Sequence, residues 1–267
     1  MASLLKDSPE DFKAKWNDIK VVIEYGMISD DKFYEKSDKF CLYPTTQGEY
    51  LLWDELTEKI KDNQTDKDGN LVVLYTSDPL GQDAYIQSVE EKGYQVLLLD
   101  SPLVPHLIQK LESSKEKVQF ARVDADHINN LIKKDETVIS KLDQTQKDSL
   151  KKIIEEAISD SAYSVTLEDL DSTQAPFAIT QPEFMRRMKD MQQTGGGGMF
   201  GMGGFPDMYN LVVNANSDFV VNLDQIKDLE LQKQKILQGF SLAKLSQNLL
   251  KGKDLTDFVR KNFDSLA

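Results

Sequence analysis

Apolar positions near the start of the chain recur at helical spacing. Phe12, Trp16, Ile19 and Ile23 fall on one face and predict an amphipathic helix. Ser8 is placed to cap it, Pro9 suits its first turn, and Asp11 stands where a box-like reach back is possible. Gly26 predicts a break, followed by a second helical piece over about 30–40. From Leu71 the period changes. LVVLYT (71–76) is a continuous β-rich run, as expected of a strand buried on both faces. A helical stretch ending at Gly93, a second buried run over 94–100, a helix in PLVPHLIQKLE and an edge strand over 117–124 then predict βαβ units with parallel strands.

Beyond Asp124 hydrophobicity thins and charge rises, which predicts a linker over 131–146 between a domain at 1–130 and another at 147–267. A helix over 149–160 opens the second domain. YSVTLEDL and MYNLVVNA alternate apolar and polar residues, as strands of a half-exposed sheet do. Two helices, about 224–250 and 255–266, close the chain around Gly252. The fold class expected is α/β plus α+β: leading helices and a small αβα subdomain with parallel strands, then an α+β domain ending in paired helices.

Composition narrows the function. Asp and Glu outnumber Lys and Arg by 45 to 32 in 267 residues, a formal net charge of −13. With no basic block, such a chain repels phosphate backbones, so no nucleic-acid partner is expected. Its longest apolar runs are too short to cross a bilayer, so no membrane partner is expected either. The single cysteine, Cys41, lies between Phe40 and Leu42 and reads as a buried, inert thiol of a reducing compartment.

The most unusual stretch is TQPEFMRRMKDMQQTGGGGMFGMGGFPDM, with six of the 8 methionines and half of the 14 glycines. Thr180 as N-cap, Pro182 and Glu183 predict its helix start, and Phe184, Met185, Met188 and Met191 form one stripe opposite Arg186, Arg187, Lys189 and Asp190. Met199, Phe200, Met202 and Phe205 keep large apolar groups in a glycine-rich loop, which suits a soft contact surface. An ordinary core stripe followed by a plain linker is the competing interpretation. The last two helices pose a similar choice. Ile236, Phe240, Ala243 and Leu250, with Leu242, Leu245 and Leu249, and then Leu255, Phe258, Val259 and Leu266 with Phe263, either fold back on their own domain or pair with a second copy.

Signals for catalysis are poor. The turn TSDPLGQD after LVVLYT has no phosphate cradle, and GGGGMFGMGG neither follows a strand nor opens a helix. His106 and His127 lack metal-ligand spacing and read as surface or packing residues, so no catalytic or metal residue is assigned.

The order of WNDIKVVIEYGMISDDKFYEKSDKFCLYPTT, GYQVLLLDSPLVPHLIQKL, PFAITQPEFMRRMKDM, PDMYNLVVNAN and SLAKLSQNLLKGKDLTDFVRKNF resembles the bacterial HtpG branch of the heat-shock protein 90 chaperones. The resemblance runs over essentially the whole chain and is to the end of the middle domain and the C-terminal domain. The family's ATP-binding domain and its catalytic arginine have no counterpart here. The resemblance therefore implies a fragment that is not itself an ATPase and needs no cofactor, while ATP and Mg belong to the parent.

It implies a homodimer built from the last two helices, through Ile236, Phe240, Leu245, Leu249, Leu255, Phe258, Val259 and Leu266. It implies client contact by Phe184, Met185, Met188 and Met191 and, less directly, by Met199, Phe200, Met202 and Phe205. A second client patch falls at His106, where some members carry tryptophan, and Gln109. The ending Asp-Ser-Leu-Ala, without an acidic co-chaperone peptide or a retention signal, fits a bacterial cytoplasmic protein. A small-molecule enzyme at the strand ends and a purely structural dimerisation module are the alternatives.

Overall fold

The computed structural model describes residues 1–134, 138–193 and 207–264, apart from the side chains of 128 and 189–193. The chain begins with helices α1 (Ala2–Asp7), α2 (Pro9–Ala14), α3 (Trp16–Ser29) and α4 (Asp31–Ser37). Next come the hairpin β1 (Tyr43–Pro44) and β2 (Tyr50–Leu51), helix α5 (Trp53–Ile60) and strand β3 (Leu71–Thr76). Then follow α6 (Asp83–Glu90), β4 (Val96–Leu98), α7 (Val104–Ser114), β5 (Val118–Arg122) and α8 (Ile128–Leu131). The remainder is α9 (Gln144–Ile158), β6 (Tyr163–Glu168), β7 (Phe177–Thr180), α10 (Glu183–Gln193), β8 (Tyr209–Asn214), α11 (Asp218–Gln225), α12 (Leu229–Ser246) and α13 (Gly252–Asp264). Two compact units result. One comprises Met1–Lys134 and Glu183–Gly204, the other Asp135–Pro182 and Phe205–Ala267.

The first unit is built on a three-stranded sheet of order β4-β3-β5, with β3 parallel to both neighbours. The β-rich run 71–76 becomes its central strand because both of its faces are covered. Val73, Tyr75, Leu97 and Phe120 pack against Trp16, Ile23, Trp53, Leu107 and Leu111 on one side. Val72, Leu74 and Val96 pack against Ile86, Val89, Leu131 and Ile132 on the other.

The leading helices differ from expectation in three places. The stripe Phe12, Trp16, Ile19 and Ile23, read as one helix, is divided at Lys15 between α2 and α3. Ser8 makes no side-chain cap to α2, so the box with Asp11 does not form. Gly26 breaks nothing, since α3 continues to Ser29. The turn is made instead by Asp30, whose carboxylate accepts the Phe33 N–H at 3.0 Å at the start of α4.

The second unit has a mixed sheet of order β6-β8-β7, with β8 parallel to β6 and antiparallel to β7. Val165, Phe177, Ile179, Leu211 and Val213 meet Leu150 and Ile154 of α9, Val220 and Leu223 of α11, and Ile236, Phe240 and Ala243 of α12. Helix α9 begins at Gln144 rather than near Ser149, because Asp143 and Gln146 close a capping box ahead of the apolar stripe. The helix read over 224–250 is shorter at both ends: α11 runs to Gln225, Asp228 caps α12 by accepting from the Glu230 and Leu231 N–H groups, and α12 ends at Ser246.

Candidate interaction surfaces

Helix α10 belongs to the first unit, and polar groups hold it there. Thr180 does not cap it; that residue is buried within β7, and the helix opens at Glu183 directly after Pro182. The Glu183 carboxylate lies three and four residues before Arg186 and Arg187, on the same side of the helix. It accepts from Arg186 at 2.5 Å, from Arg187 Nε at 2.7 Å and from the Tyr75 hydroxyl at 3.2 Å. Arg186 also donates to the Tyr75 hydroxyl. Arg187 grips Glu112 of α7 through both terminal nitrogens, at 2.8 and 3.1 Å, and donates to the Phe120 carbonyl at 2.7 Å.

The electrostatics follow from this geometry. Burial alone would push the Glu183 carboxyl up, but Arg186 and Arg187 outweigh it and hold the group below the ordinary carboxylate range. Burial, reinforced by the Glu183 charge, pushes the Tyr75 hydroxyl well up, so it remains protonated and able to donate.

This arrangement reverses the emphasis of the helical pattern. Among the described side chains of α10 the buried one is Arg186, whereas Phe184 is 72% exposed and Met185 and Met188 are half-buried. The Met191 side chain, together with Met199, Phe200, Met202 and Phe205, lies outside the described residues. On α7, His106 is half-buried and Gln109 exposed, the latter one helical turn before Glu112.

A second apolar surface lies on the C-terminal helices. Ile236 and Phe240 lie in the core of their own unit. Helix α12 instead exposes Leu237, Leu242 and Leu245. Helix α13 buries no side chain at all: Val259 and Phe263 are exposed, and Leu255 and Phe258 are half-buried. Leu249 packs partly against the second core, and Leu266 is outside the described residues.

The family model for Hsp90 protein matches residues 1–226. The chain belongs to the Hsp90 family. Chaperone protein HtpG of Porphyromonas gingivalis (strain ATCC 33277) is 40% identical over 82% of this chain and 32% of its own length. Chaperone protein htpG of Bacteroides fragilis (strain YCH46) is 32% identical over 99% of this chain and 48% of its own. A more distant relative, the endoplasmin homolog of Dictyostelium discoideum, is 23% identical over 68% of the chain. This Hsp90-family chain thus spans about a third to a half of the length of these two bacterial relatives.

Elsewhere in this Hsp90 chain, reactive groups are put to structural use. Cys41 is buried, and burial pushes its thiol up to about 12. His127 is buried and accepts the Asn129 N–H on Nδ1 at 3.2 Å. Among the described residues no group of three His, Cys, Asp or Glu is placed to hold a metal ion, and no helix is long and apolar enough to cross a membrane. The anchor of α10 escaped sequence reasoning. Its one local signal is the Glu183, Arg186, Arg187 spacing, which marks a charged helical face but names neither Tyr75 nor Glu112.

Proposed function

We propose that this chain is the C-terminal part of an HtpG-type chaperone that holds unfolded or partly folded proteins on α10 and self-associates through the exposed side of α12 and α13. The observation that carries the proposal is the outward placement of Phe184 on a helix whose Glu183, Arg186 and Arg187 side chains are turned into the unit. Phe184, Met185 and Met188 form the described part of the client surface; Met191, Met199, Phe200, Met202 and Phe205 continue it in sequence, and His106 and Gln109 lie on α7. ATP binding and hydrolysis, with Mg, belong to the longer parent, so this part needs no cofactor and is not an enzyme. The parent works in the bacterial cytoplasm, without nucleic-acid or membrane partners.

Mass action accounts for the binding. Apolar burial is worth about 25 cal/mol per Å2, so a patch of a few hundred Å2 gives weak, promiscuous contact. A dimer offers two such patches and raises apparent affinity through effective concentration.

Phe184→Ser with Met188→Ser is expected to abolish suppression of aggregation of a thermally unfolding reporter protein while leaving the melting temperature unchanged. Unchanged suppression would overturn the client surface. Light scattering is expected to give twice the 30.3 kDa chain mass. Leu242→Glu with Leu245→Glu should halve it, and a monomeric wild-type chain would overturn the assembly. Deleting α12 is a poorer test, because it also removes Ile236 and Phe240 from the core.

A further inference from the structure

Strand β5 lies at the edge of its sheet, since the order is β4-β3-β5. The Leu71 N–H donates to the Lys117 carbonyl at 2.7 Å, and the Val123 N–H donates to the Tyr75 carbonyl at 3.0 Å. Odd-numbered positions from 117 to 123 therefore turn their peptide groups toward β3, and the even ones turn theirs away. Phe120 and Arg122 consequently present main-chain groups along the outer edge, where a further strand would pair.

Side chains take that place. The Phe120 N–H donates to Glu112 at 2.7 Å, the Phe120 carbonyl accepts from Arg187 at 2.7 Å, and the Arg122 N–H points to Glu183 at 3.5 Å. Acceptor, donor, acceptor is the order that the backbone of a neighbouring strand supplies. Helix α10 and Glu112 thus cap the edge by imitation, one of the ways proteins blunt an open strand.

The cap is polar and partly wet. Side-chain exposure is 23% for Glu183, 21% for Arg187 and 25% for Glu112. Among the described side chains of α10 the buried one is Arg186, while Phe184 is exposed and Met185 and Met188 are only half-buried. Charged contacts that keep water on one side regain hydration when they part, whereas apolar burial does not. Such a cover is displaceable.

We propose that the outer edge of β5 is a strand-addition site for an extended polypeptide segment, covered by Glu183 and Arg187 of α10 when empty. An extended backbone fits because it carries C=O, N–H and C=O at the spacing that Phe120 and Arg122 require. The inference rests on the holding of unfolded polypeptide proposed above and adds where the client's main chain pairs.

The test uses the full chain, as wild type and as E183Q with R187M, and two probes: a short unstructured peptide of alternating apolar and polar residues, and the same peptide N-methylated on its backbone. Amide hydrogen exchange is read at Phe120 and Arg122. The unmodified peptide is expected to slow exchange at both amides, at lower concentration in the variant than in wild type. The N-methylated peptide should not. Raising salt on the wild-type chain should reproduce the variant's gain, which keeps the test open should the variant fold poorly. Equal effects of the two peptides, or unchanged exchange at Phe120 and Arg122 under saturating peptide, would overturn the strand site. If that happens while the wild-type chain still protects a reporter protein through Phe184 and Met188, the chaperone function stands alone; loss of both results removes both proposals.

Discussion

The Glu24 carboxylate accepts a hydrogen bond from the Ser101 hydroxyl in the interior of the first unit, where α3 meets the turn between β4 and α7. Burial pushes this carboxyl up, Ser101 and Lys20 pull it down, and Asp100 adds to the rise; burial prevails. An acid whose folded pKa is raised favours its neutral form in the native state. Its contribution to stability is complete below the unfolded value near 4.5 and is lost as pH rises through the higher folded value. Glu24→Gln keeps an acceptor for Ser101 without a charge to desolvate. The variant is expected to have the higher urea midpoint at neutral pH and to lose that advantage in acid, as read from midpoints across the pH range.

Gly26 is set by packing rather than by a turn. A Cβ there would stand 2.8 Å from the Phe33 ring, which itself packs edge-on against Phe40 at 5.6 Å and cannot swing aside freely. Overpacking costs about 1–3 kcal/mol, and alanine returns about 1 kcal/mol of helix propensity. Gly26→Ala should therefore lower stability by about 1 kcal/mol, seen as a lower denaturant midpoint with an unchanged slope.

Asn216 ties the entry of the second unit to its sheet. Its amide donates to the Ile139 and Leu170 carbonyls, each at 3.0 Å, and accepts the Lys141 N–H at 2.7 Å. Asn216→Ala strands three main-chain groups and is expected to cost about 3 kcal/mol. Both tryptophans, Trp16 and Trp53, sit in the first unit. The loss should thus appear in far-ultraviolet circular dichroism while the tryptophan fluorescence transition stays in place. A matching shift in fluorescence would mean that the units unfold together.

Two apolar residues on α12 should behave in opposite ways. Ile236 is fully buried, so Ile236→Ala should cost about 2–5 kcal/mol. Leu242 is 53% exposed, so Leu242→Ala should change stability by about 0.5 kcal/mol or less. The second substitution is expected to weaken self-association instead, read as a lower solution mass on dilution.

The sequence carried some of this more clearly than the rest. LVVLYT was legible because burial on both faces leaves an uninterrupted apolar run. Strand β7 was not: four residues, FAIT, become a strand only because β8 pairs with them from some thirty positions away. The break between α11 and α12 depends on Asp228, a cap whose meaning is local but which sits inside a pattern that continues across it. For α10 the spacing gave the helix and the stripe. Which side is held could not be read, because the partners of Arg186 and Arg187 lie 111 and 75 residues earlier. Ile236 and Phe240 show the same blindness: periodicity marks an apolar face without saying whose core it fills.

The two three-stranded sheets differ in when their middle strand is made. In the first, β3 precedes both neighbours, so each later strand finds its partner already synthesised. In the second, β8 lies between β6 and β7 but follows both. A chain emerging from the ribosome must carry β6 and β7 without their shared partner until Asn214 is out, and the core then closes only when Ile236 and Phe240 arrive. During its own birth, the second half of this Hsp90 chain is itself an unfolded polypeptide with unpaired strands.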